Sequence, residues 1–189
     1  MLDHAISAFD DLRAHIGEPQ QRVLDKQLDH LDHHCRDFIG RSPIALLATA
    51  DAAGRCDCSP RGGPPGFARV LDERHLAIPD YTGNRRQDSN ANLLENAHIG
   101  LLFLLPGMGE TLRVNGCAKL TRDPELLEGL PTGGTKPPRT ALLVEVHEAS
   151  CTAPRPSCAA GSGTRRRGRR PTSCRRQPRS TATTATRPA

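Results

Sequence analysis

The chain has 189 residues, 36% of them hydrophobic, and a formal net charge of +5, long enough for one domain with a proper core. Of its 26 basic and 21 acidic residues, 10 arginines and no acidic residue fall after position 149, so residues 1–149 carry a formal charge of −5. An acidic body with 3% aromatic residues argues against a stacking platform for single-stranded nucleic acid.

Met1-Leu2-Asp3-His4 lacks the basic start and continuous apolar stretch of a signal peptide. The longest apolar runs, Ile44–Ala50 and Ile99–Leu105, are too short for a membrane helix. A cytoplasmic protein is expected. Residues 1–40 read as helical, with Leu28, Leu31, Cys35 and Phe38 recurring at steps of three and four as one buried stripe. His30 and His34 have the i,i+4 spacing of a metal site, but Asp29, Asp32, Arg36 and Asp37 mark an ordinary solvated face. No metal is expected.

After Ser42-Pro43 the period becomes that of strands. Ile44–Ala50 is a near-continuous apolar run ended by the turn signal Asp51-Ala52-Ala53-Gly54, and Arg55–Ser59 alternates as the returning strand of a hairpin. Phe67–Asp72 and His75–Ile78 flank Glu73-Arg74 as a second hairpin. Arg86–Glu95 reads as a helix, and Ile99–Leu105, Leu112–Leu120 and Ala141–Val146 as three further strands. About six short strands with few helices predict a mainly β fold with flanking helices (α+β), built as a small antiparallel barrel. The body's cysteines, Cys35, Cys56, Cys58 and Cys117, make neither a disulfide framework nor a zinc ribbon.

The composition changes at Ser150. Residues 150–189 contain no Leu, Ile, Val, Met, Phe, Tyr or Trp, and no Asp, Glu or Lys. Such a segment has too little apolar surface to offset its ordering entropy, so a body of residues 1–149 and a disordered tail of residues 150–189 are expected. An arginine-rich arm of this kind could hold nucleic acid by phosphate neutralisation. The composition is also that of a GC-rich gene read out of frame, and this origin is favoured. One nucleotide restored before codon 150 allows an apolar helical stretch to be regenerated from a segment that has none.

The densest polar constellation runs from Ser59 to Ser89. Ser59-Pro60-Arg61-Gly62-Gly63-Pro64-Pro65-Gly66 reads as a rigid glycine-rich loop, and Asp80-Tyr81-Thr82-Gly83-Asn84-Arg85-Arg86 as a second loop leading into a helix. Arginines grip a phosphate bidentately, amides at a helix start add donors, and glycines let backbone approach a flat ligand. Two such loops would make a phosphate-binding rim. His75 and Tyr81 are minor candidates. No acid–base residue declares itself as catalytic.

The order Ile44–Ala50, Cys58–Gly66, Leu76–Asp80, Gly83–Arg86 and Asn92–Phe103 resembles the pyridoxamine 5'-phosphate oxidase superfamily of FMN-binding split barrels. Ser59-Pro60-Arg61-Gly62, Pro64-Pro65-Gly66-Phe67 and Pro106–Gly116 are similar to its group of FMN-dependent enzymes. The resemblance covers about Leu28–Glu148. It implies a six-stranded antiparallel split β-barrel, a homodimer with FMN at its interface, and a flavoprotein oxidoreductase of undefined substrate. By that resemblance Ser59 and Arg61 meet the flavin and its phosphate, and Ile78, Pro79 and Asp80 present backbone to the ring. Asn84, Arg85 and Arg86 hold the phosphate, while Arg113 and Asn115 reach the partner's flavin. A flavin-binding protein without turnover is the alternative. Where the group continues past the last strand with a helix and an aromatic segment, this chain has its arginine-rich tail.

Overall fold

A computed structural model describes residues 5–81, 83, 85–132 and 137–152. The tail expected at 150–189 therefore lies outside the described residues from 153 onward. Two short helices, α1 (Phe9–Ile16) and α2 (Gln21–Leu24), open the chain; α1 contributes no buried residue. Strand β1 (Gln27–Leu28) and helix α3 (His33–Arg41) follow. The single helical stripe expected through Leu28 is thus corrected. Leu28 pairs as a strand with Ala149, and α3 begins only after Asp32, whose carboxylate caps it by accepting from the Cys35 amide at 2.8 Å. Leu31, Cys35 and Phe38 are buried all the same, with Ile39.

The remaining elements are β2 (Ile44–Ala50), β3 (Cys56–Gly62), β4 (Arg69–Val70), β5 (His75–Asp80) and α4 (Asp88–Glu95). After them come β6 (His98–Leu104), β7 (Thr111–Thr121), α5 (Pro124–Glu128) and β8 (Thr140–Thr152). All pairings among these strands are antiparallel. The strands lie in the order β3-β2-β6-β7-β8-β5-β4, with β1 added to β8. Six of the eight are six residues or longer, and the sheet is not closed, with β3 and β4 at its edges.

Alternation along the strands divides their side chains. Ala45, Leu47, Leu101, Phe103, Leu112 and Val114 point into one core, where Phe67, Leu76, Ile78, Leu142 and Val144 meet them. Each large side chain buried there contributes about 1.5–3 kcal/mol. The opposite face of β2 and β6 carries Ile44, Leu46, Leu102 and Leu104, all half-buried. The join between α3 and the sheet is polar: Ser42, fully buried, donates its hydroxyl to the Leu104 carbonyl at 2.6 Å.

β3 and β8 exceed the sequence expectation most. β3 runs on through Gly62, so Ser59–Gly62 is strand rather than loop, paired residue by residue with Ile44–Leu47. β8 continues past Val146 to Thr152, because a bulge absorbs His147: Gly116 faces Val146 while Asn115 faces Glu148. The pairing of Arg113 with Ser150 carries the fold beyond the change in composition.

Candidate functional site

The hairpin β2–β3 places Asp57, Ser59 and Arg61 on one face of an edge strand. Opposite them, β5 ends at Pro79-Asp80, and the chain turns through Arg85–Gln87 into α4. Arg85 and Gln87 have φ of 62° and 61°, the left-handed region that non-glycine residues rarely occupy. Strain of this kind persists where the surroundings impose it, and it gathers at ligand sites.

These segments enclose a cleft of about 340 Å³, lined by Ser59, Arg61, Pro79, Asp80, Tyr81, Arg85, Arg86 and Ser89 among others. Arg86 Nε donates to Asp88 at 2.8 Å. Arg61 donates to the Pro60 carbonyl, and neither Arg61 nor Arg85 has a carboxylate within ion-pair distance among the described residues. The Asp80 carboxylate accepts from Gln87 at 3.1 Å and from Asn90 and Thr140 at 3.3 Å, which fixes the loop rather than opposing a ligand. Asn90 is 5% exposed, and its Oδ1 is a buried oxygen without a hydrogen-bond partner among the described residues. Tyr81 donates its hydroxyl to the Pro131 carbonyl at 2.7 Å, and burial raises its pKa. A side chain added at Gly63 would meet the Tyr81 ring at 3.0 Å, so the glycine lets the ring close on the rim.

The donor set suits a phosphate monoester: three guanidinium groups, two of them uncommitted to carboxylates among the described residues, beside a helix start. Of the residues expected at the site, Ser59, Arg61, Pro79, Asp80, Arg85 and Arg86 are brought together here. The Ile78 side chain is 1% exposed and belongs to the core. Asn84 lies outside the described residues. Arg113 and Asn115 are elsewhere: Arg113 is ion-paired with Glu148, and Asn115 lines a separate open groove of about 580 Å³ with Ala48, Cys58 and Gly100. Both stand on the face of the sheet that carries Leu46 and Leu102, since Leu102 pairs with Arg113 and Gly100 with Asn115.

Asp57 was not among the expected site residues, yet it anchors Ser59 and Ser89. Its alternation with Ser59 and Arg61 is the signal that could have found it. His75 is tied to the Asp72 carboxylate at 2.9 Å in the turn between β4 and β5 and does not line the cleft. His30 bonds Asp29, and the described residues contain no cluster of three or more potential metal ligands. None of the described helices is long and apolar enough to cross a membrane.

Comparison with known proteins bears on the family and the fold. The family profile described as pyridoxamine 5'-phosphate oxidase matches residues 31–152. Among solved structures, a point variant of HupZ from Group A Streptococcus is similar at 18% identity and a TM-score of 0.52, covering 65% of this chain and 99% of that one. A candidate pyridoxamine 5'-phosphate oxidase from Lactobacillus delbrueckii is similar at 20% identity and a TM-score of 0.52, covering 66% and 98%. At these identities the likeness is one of fold. No curated protein matches the chain. The profile spans most of the chain, from the buried Leu31 to the end of β8, and includes every strand that frames the cleft: the chain belongs to the pyridoxamine 5'-phosphate oxidase family.

Proposed function

We propose that the protein is a cytoplasmic, homodimeric, FMN-dependent oxidoreductase of this family, acting on a small molecule still to be defined. The observation that carries the proposal is the cleft between β3 and the β5–α4 turn, where Arg61, Arg85 and Arg86 converge beside the strained entry to α4. In this reading the three guanidinium groups hold the phosphate and Ser59 and Ser89 line its approach. The end of β5 at Pro79-Asp80 offers backbone to the ring, and Tyr81 closes the rim. When bound, the flavin supplies the electron transfer, and the protein positions and tunes it.

Homodimer formation is supported by the sheet face bearing Ile44, Leu46, Leu102 and Leu104, a half-buried apolar surface in a single chain. Arg113 and Asn115 border that face, where a second copy would bring them to its partner.

The test is the visible absorption spectrum of the purified chain after loading with FMN and removal of the excess. A retained flavin band is expected, and a colourless protein would refute the proposal for this chain. Reduction of the bound flavin by a nicotinamide or deazaflavin donor then separates an oxidoreductase from a flavin-binding protein without turnover.

A further inference from the structure

Two hydroxyls converge on one oxygen of the Asp57 carboxylate. Ser89 Oγ donates to Asp57 Oδ2 at 2.6 Å, and Ser59 Oγ donates to the same atom at 2.9 Å. Ser89, in the first turn of α4, is 1% exposed, and both serines line the cleft. The Ser89 hydroxyl above all, then the Ser59 hydroxyl and the Arg61 and Arg86 guanidinium groups, hold the Asp57 carboxyl below the usual carboxylate range. It is therefore ionised at neutral pH.

An ionised carboxylate only accepts hydrogen bonds, and a serine hydroxyl has one proton to give. With both protons committed to Asp57, Ser59 and Ser89 turn lone pairs toward the cleft. A deprotonated phosphate oxygen, itself an acceptor, gains nothing from them in that state, and the single P–O–H of hydrogen phosphate can satisfy one of them at most. A ligand hydroxyl does, because it can donate.

We propose that Asp57 is a positioning residue that makes Ser59 and Ser89 hydrogen-bond acceptors, so that the cleft selects a polyol phosphate over inorganic phosphate. The arginines supply strength of binding to the phosphate, and the two serines supply discrimination by reading the hydroxylated chain next to it. The proposal rests on the cleft being a phosphate site. It does not require a flavin ring.

The test compares ribitol 5-phosphate, inorganic phosphate and FMN as ligands of the full-length chain by calorimetry, in wild type and three variants. Wild type is expected to prefer ribitol 5-phosphate over inorganic phosphate by about fivefold or more, as one to two added hydrogen bonds imply. D57A frees both hydroxyl protons and should collapse that preference. D57N loses the charge but keeps an acceptor oxygen, so both ligands should bind more tightly while the preference survives. S89A, which leaves the charge unchanged, should weaken ribitol 5-phosphate several-fold and leave inorganic phosphate alone.

Equal affinities in wild type, or a preference that survives in D57A, would overturn the proposal. So would its loss in D57N to the same extent as in D57A, because charge alone would then be the cause. If the predicted pattern holds but FMN does not bind, the proposal stands and the flavin assignment fails. Wild-type protein that binds none of the three ligands overturns both.

Discussion

Two glycines near each other in the middle of the sheet are expected to respond oppositely to the same added methyl group. A Cβ at Gly116, on β7, would overlap the Glu145 carbonyl oxygen and lie 3.0 Å from its carbon, within the backbone of β8. No side chain can swing aside to make room, so the two strands must part at the bulge that places Gly116 opposite Val146. Overpacking typically costs about 1–3 kcal/mol, and each ladder hydrogen bond lost adds about 1 kcal/mol. Gly116→Ala should therefore destabilise by about 2–4 kcal/mol. At Gly100, on β6, the nearest atoms to an added Cβ are Asn115 Oδ1 at 3.5 Å and the Ala48 Cβ at 3.8 Å, ordinary contacts. Gly100→Ala should be neutral or stabilise by up to about 1 kcal/mol, through lower entropy of the unfolded chain. Urea unfolding followed by far-ultraviolet circular dichroism suits a chain with no tryptophan. Equal midpoints for the two variants would refute the β7–β8 register at the bulge.

Other expectations follow from the cleft, the hairpin turn and the tail. Arg61→Ala should weaken FMN about tenfold to a hundredfold, the worth of a charged hydrogen-bonding partner, as read by quenching of flavin fluorescence on titration. Asp51 accepts from the Arg55 amide and side chain and from the Ala53 amide, and these bonds, the Arg55 amide first, lower its pKa. A carboxyl depressed on folding stabilises above its unfolded pKa and loses that contribution as the pH falls through the folded value. Below about pH 4, Asp51→Asn should therefore show a shallower fall of Tm with acidification than wild type, and an unchanged slope would count against this turn. Frame restoration at codon 150 should raise both Tm and retained FMN, and equal values in the two proteins would defeat that expectation; the frameshift itself is decided by sequencing the gene, where an intact unshifted frame would dismiss it.

Strands whose side chains face one core were legible because their alternation is directly visible: Ile44–Ala50 and His98–Leu104 fall within a residue of expectation. In the local pattern Pro60 and Gly62 speak against a strand and end β3 at Ser59, yet an edge position tolerates the missing proline N–H. The alternation of β8 ends at Val146 because the bulge shifts it by one residue at His147, and only the partner strand reveals the reset. α5 falls outside the sequence expectation although Asp123 caps it and Pro124 opens it, a start signal present in the sequence. The arginines of the cleft are recognisable from composition, although Arg61 stands on β3 rather than in a loop. The Asp57–Ser89 contact spans 32 positions and the Arg113–Glu148 pair 35, separations to which local pattern is blind.

The cleft takes Ser59 and Arg61 from an edge strand that, among the described residues, is hydrogen-bonded to a single neighbour, β2. Local opening of a sheet begins at such margins, where one row of bonds rather than two must break. Under the proposed function, recognition falls to the least anchored of the long strands. Binding there gives β3 a second set of attachments, through the ligand to the β5–α4 turn. Ligand occupancy and the order of this margin are then thermodynamically linked: the free energy that holds the ligand also completes the fold.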